Sequence, residues 1–240
     1  MKYLELNADL GEGFEFDAAL MPLIDEANIA CGGHAGDVDS MRATVVLARA
    51  HGVRIGAHPS YPDREHFGRI SLPMPEPKLV ASLTAQLWAL KAVCIEAGVS
   101  VSYVKPHGAL YHDVAHNPAL AALLAQSIYE IDPSLALMGL AGSELVKAGE
   151  AVGLTVIREA FADRAYLEDG SLLPRTEAGA VLDDIAAIAQ VESLWRNGGV
   201  YAQGGGWLPL AADSVCIHGD NAHALKFAQT VRKRFPRRVL

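Results

Sequence analysis

Seven apolar runs of strand length alternate with longer segments of helical period along this chain, and that alternation constrains the fold more than any other feature. Strands are predicted at residues 3–8, 27–31, 53–57, 101–105, 135–139, 155–158 and 214–217. Helices are predicted at 40–51, 76–97, 118–131, 143–151, 177–196 and 221–234. Strand–helix alternation with no break in composition predicts α/β architecture with a mainly parallel sheet, one domain over 1–240. Seven strands in this length suit a seven-stranded parallel β/α barrel, closed or nearly so. A doubly wound open sheet is the alternative. Local punctuation agrees: Asp39 or Ser40 can cap the helix at 40–51, and Gly52 and Gly98 stand where left-handed C-terminal caps are wanted. Pro73, Pro75 and Pro77 make an extended lead-in to the longest helix, and Gly204–Gly206 reads as the turn of a small hairpin.

Composition narrows the function classes. Apolar residues make up 51% and charged residues 20% of 240, enough to build a core without a disulfide or metal staple. The formal charge of −8 argues against nucleic acid and anionic membrane as partners, since both reward clustered Lys and Arg. The first residues carry acids where an export signal needs an apolar run, and apolar windows such as 119–125 are too short to span a bilayer. Cys31, Cys94 and Cys216 form no CxxC pair, so a reducing, cytoplasmic setting is expected.

The unusual side chains cluster at strand ends. They read Asn7-Ala-Asp9-Leu-Gly-Glu12, Cys31-Gly-Gly-His34-Ala-Gly-Asp37, His58-Pro-Ser-Tyr61-Pro-Asp63, Lys105-Pro-His107-Gly, Glu159-Ala-Phe-Ala-Asp163-Arg164 and His218-Gly-Asp220-Asn221. In a parallel α/β fold all strand C-termini lie on one face, where active sites are built. Polar residues also simply begin loops, but that explains poorly four histidines, a lysine and several acids at six ends. His34 with Asp37, and His218 with Asp220, resemble an imidazole beside an orienting carboxylate, although Asp37 reads equally as a helix cap. Lys105 is either a fixed charge in the barrel mouth or a snorkelling edge residue. His112 and His116 match H-x-x-x-H but lack the HExxH glutamate, so they are read as surface residues. The basic C-terminal stretch is read as a solvated helix end. No phosphate loop, GxGxxG turn or GxSxG elbow is present.

NADLGEGF, NIACGGHAGD, GAHPSYPD, FGR, VKPHGALY, EAFADRAY and CIHGDN, in that order, resemble the lactam-utilisation family, the A subunits of bacterial 5-oxoprolinases, over essentially the whole chain. The resemblance implies a seven-stranded β/α barrel like those of glycoside hydrolases and polysaccharide deacetylases. It also implies ATP-dependent opening of 5-oxo-L-proline to L-glutamate together with subunits B and C. The chain departs from the family's pattern at Gly33, where Phe is common, at His66, where Gly is common, and at Ile70, where a second Arg is common. Gly33 is expected to widen the loop before His34, and Ile70 to remove a positive charge beside Arg69.

An unactivated amide needs help before water opens it, and ATP, carried with Mg²⁺ as a co-substrate, can phosphorylate the amide oxygen. Such a site needs cations, donors for an oxyanion and a base for water. The expected catalytic set is Asp9 for water, His58 and His107 for proton transfer, Lys105 and Arg164 for charge, and His218. Asn7, Glu12, His34, Arg69, Asp163 and Asp220 are expected to bind substrate, and no metal ligand is assigned. Two rivals stand beside this reading. One is a metal-dependent amide hydrolase or deacetylase using Asp9, His34, His58 and His218; the other is a non-catalytic lactam-binding subunit.

Overall fold

The computed structural model describes residues 5–217 and 222–237. The first elements are β1 (Glu5–Leu10), α1 (Asp17–Leu20) with a following 3-10 turn, β2 (Glu26–Ala30), α2 (Val38–His51), β3 (Arg54–His58) and α3 (Glu76–Glu96). Then come β4 (Tyr103–Val104), α4 (Gly108–His116), α5 (Pro118–Ile131), β5 (Ala136–Leu140), α6 (Glu144–Val152) and β6 (Val156–Phe161). The chain continues through α7 (Asp184–Asn197), an antiparallel hairpin of β7 (Gly199–Tyr201) and β8 (Trp207–Pro209), β9 (Ser214–Cys216) and α8 (Ala222–Arg234).

Strands β1 to β6 pair in chain order, all parallel, and β9 pairs with both β6 and β1, closing a seven-stranded barrel. Closure excludes the open-sheet alternative. Outward-facing residues such as Leu6, Ala8, Ile29, Ile55 and Leu137 pack beneath the helices in one large core. Inside the barrel, Tyr103, Met138 and Ile157 make a small separate apolar cluster. Gly56 is what admits the Tyr103 ring: a Cβ at position 56 would lie 2.1 Å from it.

The expected strands all appear, their ends shifted by up to three residues, and the hairpin forms where Gly204–Gly206 predicts it. Four expectations change. Helix α2 is capped by Asp37, not Asp39 or Ser40; Asp37 accepts from the Ser40 N–H at 2.8 Å, and its own N–H donates to Ser40 Oγ at 2.8 Å. Residues 162–183 are a loop held by the bridges Arg164–Val181 and Tyr166–Leu172, so α7 starts only at Asp184, capped by Asp183. Helix α4, hidden behind a Gly and two His, was not anticipated. Finally, α3 has 21 residues and is long and apolar enough to cross a membrane by length and composition. Its stripe of Leu79, Leu83, Leu87, Leu90 and Cys94 is buried in the core, which accounts for that apolarity.

Candidate active site at the carboxyl ends of the barrel strands

Alternation along each strand sends every second side chain into the barrel. This places a polar layer above the Tyr103 cluster. Tyr103 Oη donates to Asn28 Oδ1 at 2.7 Å, and Asn28 Nδ2 donates to Asn7 Oδ1 at 2.9 Å and Asp9 Oδ1 at 2.8 Å. Asn7 Nδ2 donates in turn to Ser214 Oγ at 2.9 Å. Asn7 is therefore part of the barrel's interior framework rather than of the cavity wall.

Lys105 rises from the end of β4 into this layer. Its ammonium lies 3.0 Å from Asp9 Oδ1, 2.8 Å from Glu159 Oε1 and 3.2 Å from Asn7 Oδ1, and the residue is only 2% exposed. The snorkelling alternative is thereby excluded. Burial disfavours the charged amine, but the Asp9 charge and the other anionic neighbours outweigh it and hold the pKa well above its usual value. For Asp9, burial pushes upward; His58 and Lys105 prevail and keep its carboxyl well below the usual range.

Three imidazoles and Glu12 stand beside this pair. His34 and His107 are stacked, centroids 3.6 Å apart and planes 6° off parallel, and His58 meets both edge-on. His58 Nδ1 lies 2.8 Å from the Lys105 carbonyl, and His107 Nε2 lies 3.0 Å from the Phe67 carbonyl. A carbonyl oxygen only accepts, so both ring protons are committed there. The other two ring nitrogens, His58 Nε2 and His107 Nδ1, face each other at 2.9 Å. His58 Nε2 is also 3.2 Å from Asp9 Oδ2. His34 Nε2 contacts Glu12 Oε1 at 2.9 Å, which replaces the expected pairing with Asp37. Burial, reinforced by His58, pushes His34 down to about 3 and His107 down to about 2. Burial and the Asp9 charge raise Glu12 to about 7.

Backbone geometry brings these rings together. Phe67 adopts φ 56, which is uncommon for a side chain of its size, and this turns its carbonyl toward His107. Gly68 follows at φ +63, where an added Cβ would lie 2.9 Å from His34 Cβ and 3.1 Å from His107 Cδ2. Gly33 does not widen its loop. A Cβ there would lie 2.4 Å from Gln86 Oε1 and 2.5 Å from Ser60 Oγ, because Gln86 and Ser60 fill that space, Gln86 clamping the Ser60 backbone through bonds of 3.0 Å and 2.9 Å.

A cavity of about 650 Å³ opens above the cluster, with Asp9, Glu12, His58, Lys105 and His107 in its wall. Arg69 and Arg164 also line it. Arg69 is exposed, its guanidinium 5.3 Å from the Phe67 ring centroid. Arg164 spends its guanidinium on the Leu173 and Ala180 carbonyls at 2.6 Å and 3.3 Å, bracing the 162–183 loop. Asp163 and His34 lie outside the cavity wall. His112 and His116 are exposed, as expected, but at the cavity's edge. His218 and Asp220 lie outside the described residues.

Sequence reasoning left Glu159 and Tyr111 out of the site. Tyr111 Oη donates to Glu159 Oε2 at 2.6 Å, completing the anionic cage around Lys105. Glu159 was detectable, since it is in phase with inward-facing Ile157 on β6; Tyr111 was not, because α4 was unrecognised.

Fold and cluster together define the class: a closed parallel β/α barrel with a buried imidazole, carboxylate and ammonium site at its strand C-termini. The sequence profile of the LamB/YcsF family matches residues 4–239, and the chain belongs to that family. It is 49% identical over 232 residues to the 5-oxoprolinase A subunit of Haemophilus influenzae (strain PittEE), covering 96% of this chain and 95% of that one. The crystal structure of a lactam utilization protein from Thermus thermophilus superposes with a TM-score of 0.90 at 36% identity, covering 96% of this chain and 95% of that one. A β-1,4-mannanase shares the fold alone, with a TM-score of 0.51 and 8% identity over 99% of this chain and 100% of that one.

Proposed function

We propose that this chain is the A subunit of a 5-oxoprolinase, which opens 5-oxo-L-proline to L-glutamate with ATP and two partner subunits, B and C. The observation that carries the reading is the convergence of Asp9, Lys105, His58 and His107 on one cavity floor, in a chain about half identical to a 5-oxoprolinase A subunit over nearly its full length.

The chemistry follows from the residues. ATP, carried with Mg²⁺, transfers its terminal phosphoryl group to the lactam oxygen and leaves as ADP. Water then adds to the activated carbon, the ring C–N bond breaks with a proton passing to nitrogen, and a second water releases phosphate. Net, one ATP and two waters give glutamate, ADP and phosphate. Asp9, kept ionised by His58 and Lys105, accepts the proton of the attacking water. His58 and His107 face the same cavity, where their imidazole nitrogens can relay the proton that passes to the leaving ring nitrogen. Glu12 and Arg69 position the substrate in the wall, while Asn7, His34, Asp163 and Arg164 support it from behind or through the loop.

With no phosphate loop, the chain relies on subunits B and C to bring or share the nucleotide. Glutamate release is therefore expected only when this chain, B, C, ATP and Mg²⁺ are combined. Full turnover by the lone chain without ATP overturns the reading. Tight 5-oxoproline binding, with glutamate release indifferent to Asp9→Asn, would point instead to a non-catalytic binding subunit.

A further inference from the structure

The His58–His107 contact poses a question that its hydrogen bonds do not answer. Each ring's far nitrogen donates to a carbonyl, and the two near nitrogens stand 2.9 Å apart, a contact that a further proton or a cation would close. A proton would settle only that one line. Glu12 Oε1 lies off it, 3.4 Å from His107 Nδ1 and 3.9 Å from His58 Nε2, and stands 2.9 Å from His34 Nε2. Four donor atoms thus surround one point, all within 4.8 Å of one another.

We propose that Glu12 Oε1, His34 Nε2, His58 Nε2 and His107 Nδ1 form a binding site for one divalent transition-metal ion of the zinc class at the cavity floor.

Spacing supports this. Ligands each about 2.1 Å from a shared ion stand roughly 3–3.5 Å apart at tetrahedral to octahedral angles, close to most of the separations here. Charge supports it as well. Three carboxylates, Asp9, Glu12 and Glu159, face one ammonium, and Lys105 is already shared by Asp9 and Glu159. Among the described residues, Glu12 has only the three imidazoles within ion-pair distance. The outer shell is built for two of the ligands, since His58 and His107 each donate the far ring N–H to a carbonyl, which fixes tautomer and orientation. Three imidazoles with one carboxylate select a borderline ion such as zinc over magnesium or calcium, which prefer all-oxygen shells. The sequence reading assigns no metal ligand, and its metal-dependent rival groups Asp9, His34, His58 and His218. Asp9 is committed to Lys105, and among the described residues Glu12 and His107 join His34 and His58. Glu12, His58 and His107 also line the cavity, so a bound ion would present an open face there and could polarise a carbonyl or a water.

The test uses the full-length, tag-free chain, stripped with a chelator and titrated with Zn²⁺ by calorimetry, with Co²⁺ as a spectroscopic probe. One equivalent of Zn²⁺ is expected, with a raised melting temperature. Co²⁺ should give visible absorption bands of a nitrogen-ligated ion, displaced by Zn²⁺. Glu12→Gln and His107→Ala should each weaken binding at least about tenfold, while the double variant His112→Ala/His116→Ala binds as the wild type does. If either ligand variant fails to fold, the wild-type Co²⁺ spectrum and its loss in His34→Gln decide the matter. Failure of the wild type to bind a stoichiometric ion, or binding that depends on His112 and His116, overturns the site. Stoichiometry is read without lactam turnover, so this inference and the 5-oxoprolinase reading can fail separately.

Discussion

Lys105 Nζ and Glu159 Oε1 are 2.8 Å apart inside the barrel, with both side chains almost wholly withdrawn from water. A buried pair of this kind is costly to break from one side, because the surviving charge loses its partner. Lys105→Met leaves both Asp9 and Glu159 uncompensated. It is expected to destabilise the chain by about 3–5 kcal/mol, measured by urea unfolding, and to abolish glutamate release. Lys105→Arg is expected to restore neither, because a planar fork does not fit a cage built around a point charge. A Lys105→Met protein as stable as the wild type would show that the cage carries no such energy.

Gly33 and Gln86 are coupled through space. Gly33→Ala is expected to destabilise the wild type by about 1–3 kcal/mol through overpacking against the Gln86 amide. In a Gln86→Ala background the same change should cost less, with the Ser60 hydroxyl, 2.5 Å from the added Cβ, still to be moved aside. Equal costs in the two backgrounds, in a double-mutant cycle of thermal unfolding, would show that Gln86 does not fill the space before His34.

Glu26 lies at the opposite end of the barrel, fully buried, 2.7 Å from Arg54 Nη2. Burial raises its pKa from 4.5 to about 7, with Arg54 offsetting only part of the effect. The folded value exceeds the unfolded one, so the contribution to stability is complete below pH 4.5 and is lost as pH rises through about 7. Glu26→Gln is expected to be more stable than the wild type above pH 7, and the difference should shrink or reverse below pH 4.5. Chemical denaturation across that range measures it, and a difference that does not vary with pH contradicts the assignment.

His107→Ala is expected to lower glutamate release by roughly 10²–10⁴-fold, the usual worth of a proton-transfer group. His112→Ala and His116→Ala, at the exposed edge of the cavity, are expected to change it little. Steady-state assays on the reconstituted system compare the three, and a larger loss at position 112 or 116 would relocate the chemistry.

The barrel was legible because its strands are short, apolar and regularly spaced, and parallel connections leave few topologies to choose from. The cluster was legible for the same reason, since strand ends in such a fold must share a face. Atomic pairing was harder to read. His34 is three residues from Asp37 in sequence, yet Asp37 is spent on capping α2 and His34 meets Glu12 across the neighbouring strand. Glu159 looked like one strand-end acid among several until the inward phase of β6 set it against Lys105. Arg164 looked like a catalytic charge, but its donors hold loop carbonyls. In each case a contact between distant segments decided the outcome, and local spacing carries no record of it.

The central claim is that Asp9, held ionised by His58 and Lys105, opens the lactam at this barrel face. Glutamate release from 5-oxoproline by this chain with subunits B and C, ATP and Mg²⁺ tests it most directly, comparing the wild type with Asp9→Asn. The account predicts ATP-dependent glutamate release by the wild type, and its near-complete loss in an Asp9→Asn protein that remains folded and still assembles with B and C. Wild-type rates of glutamate release from the Asp9→Asn assembly would contradict it.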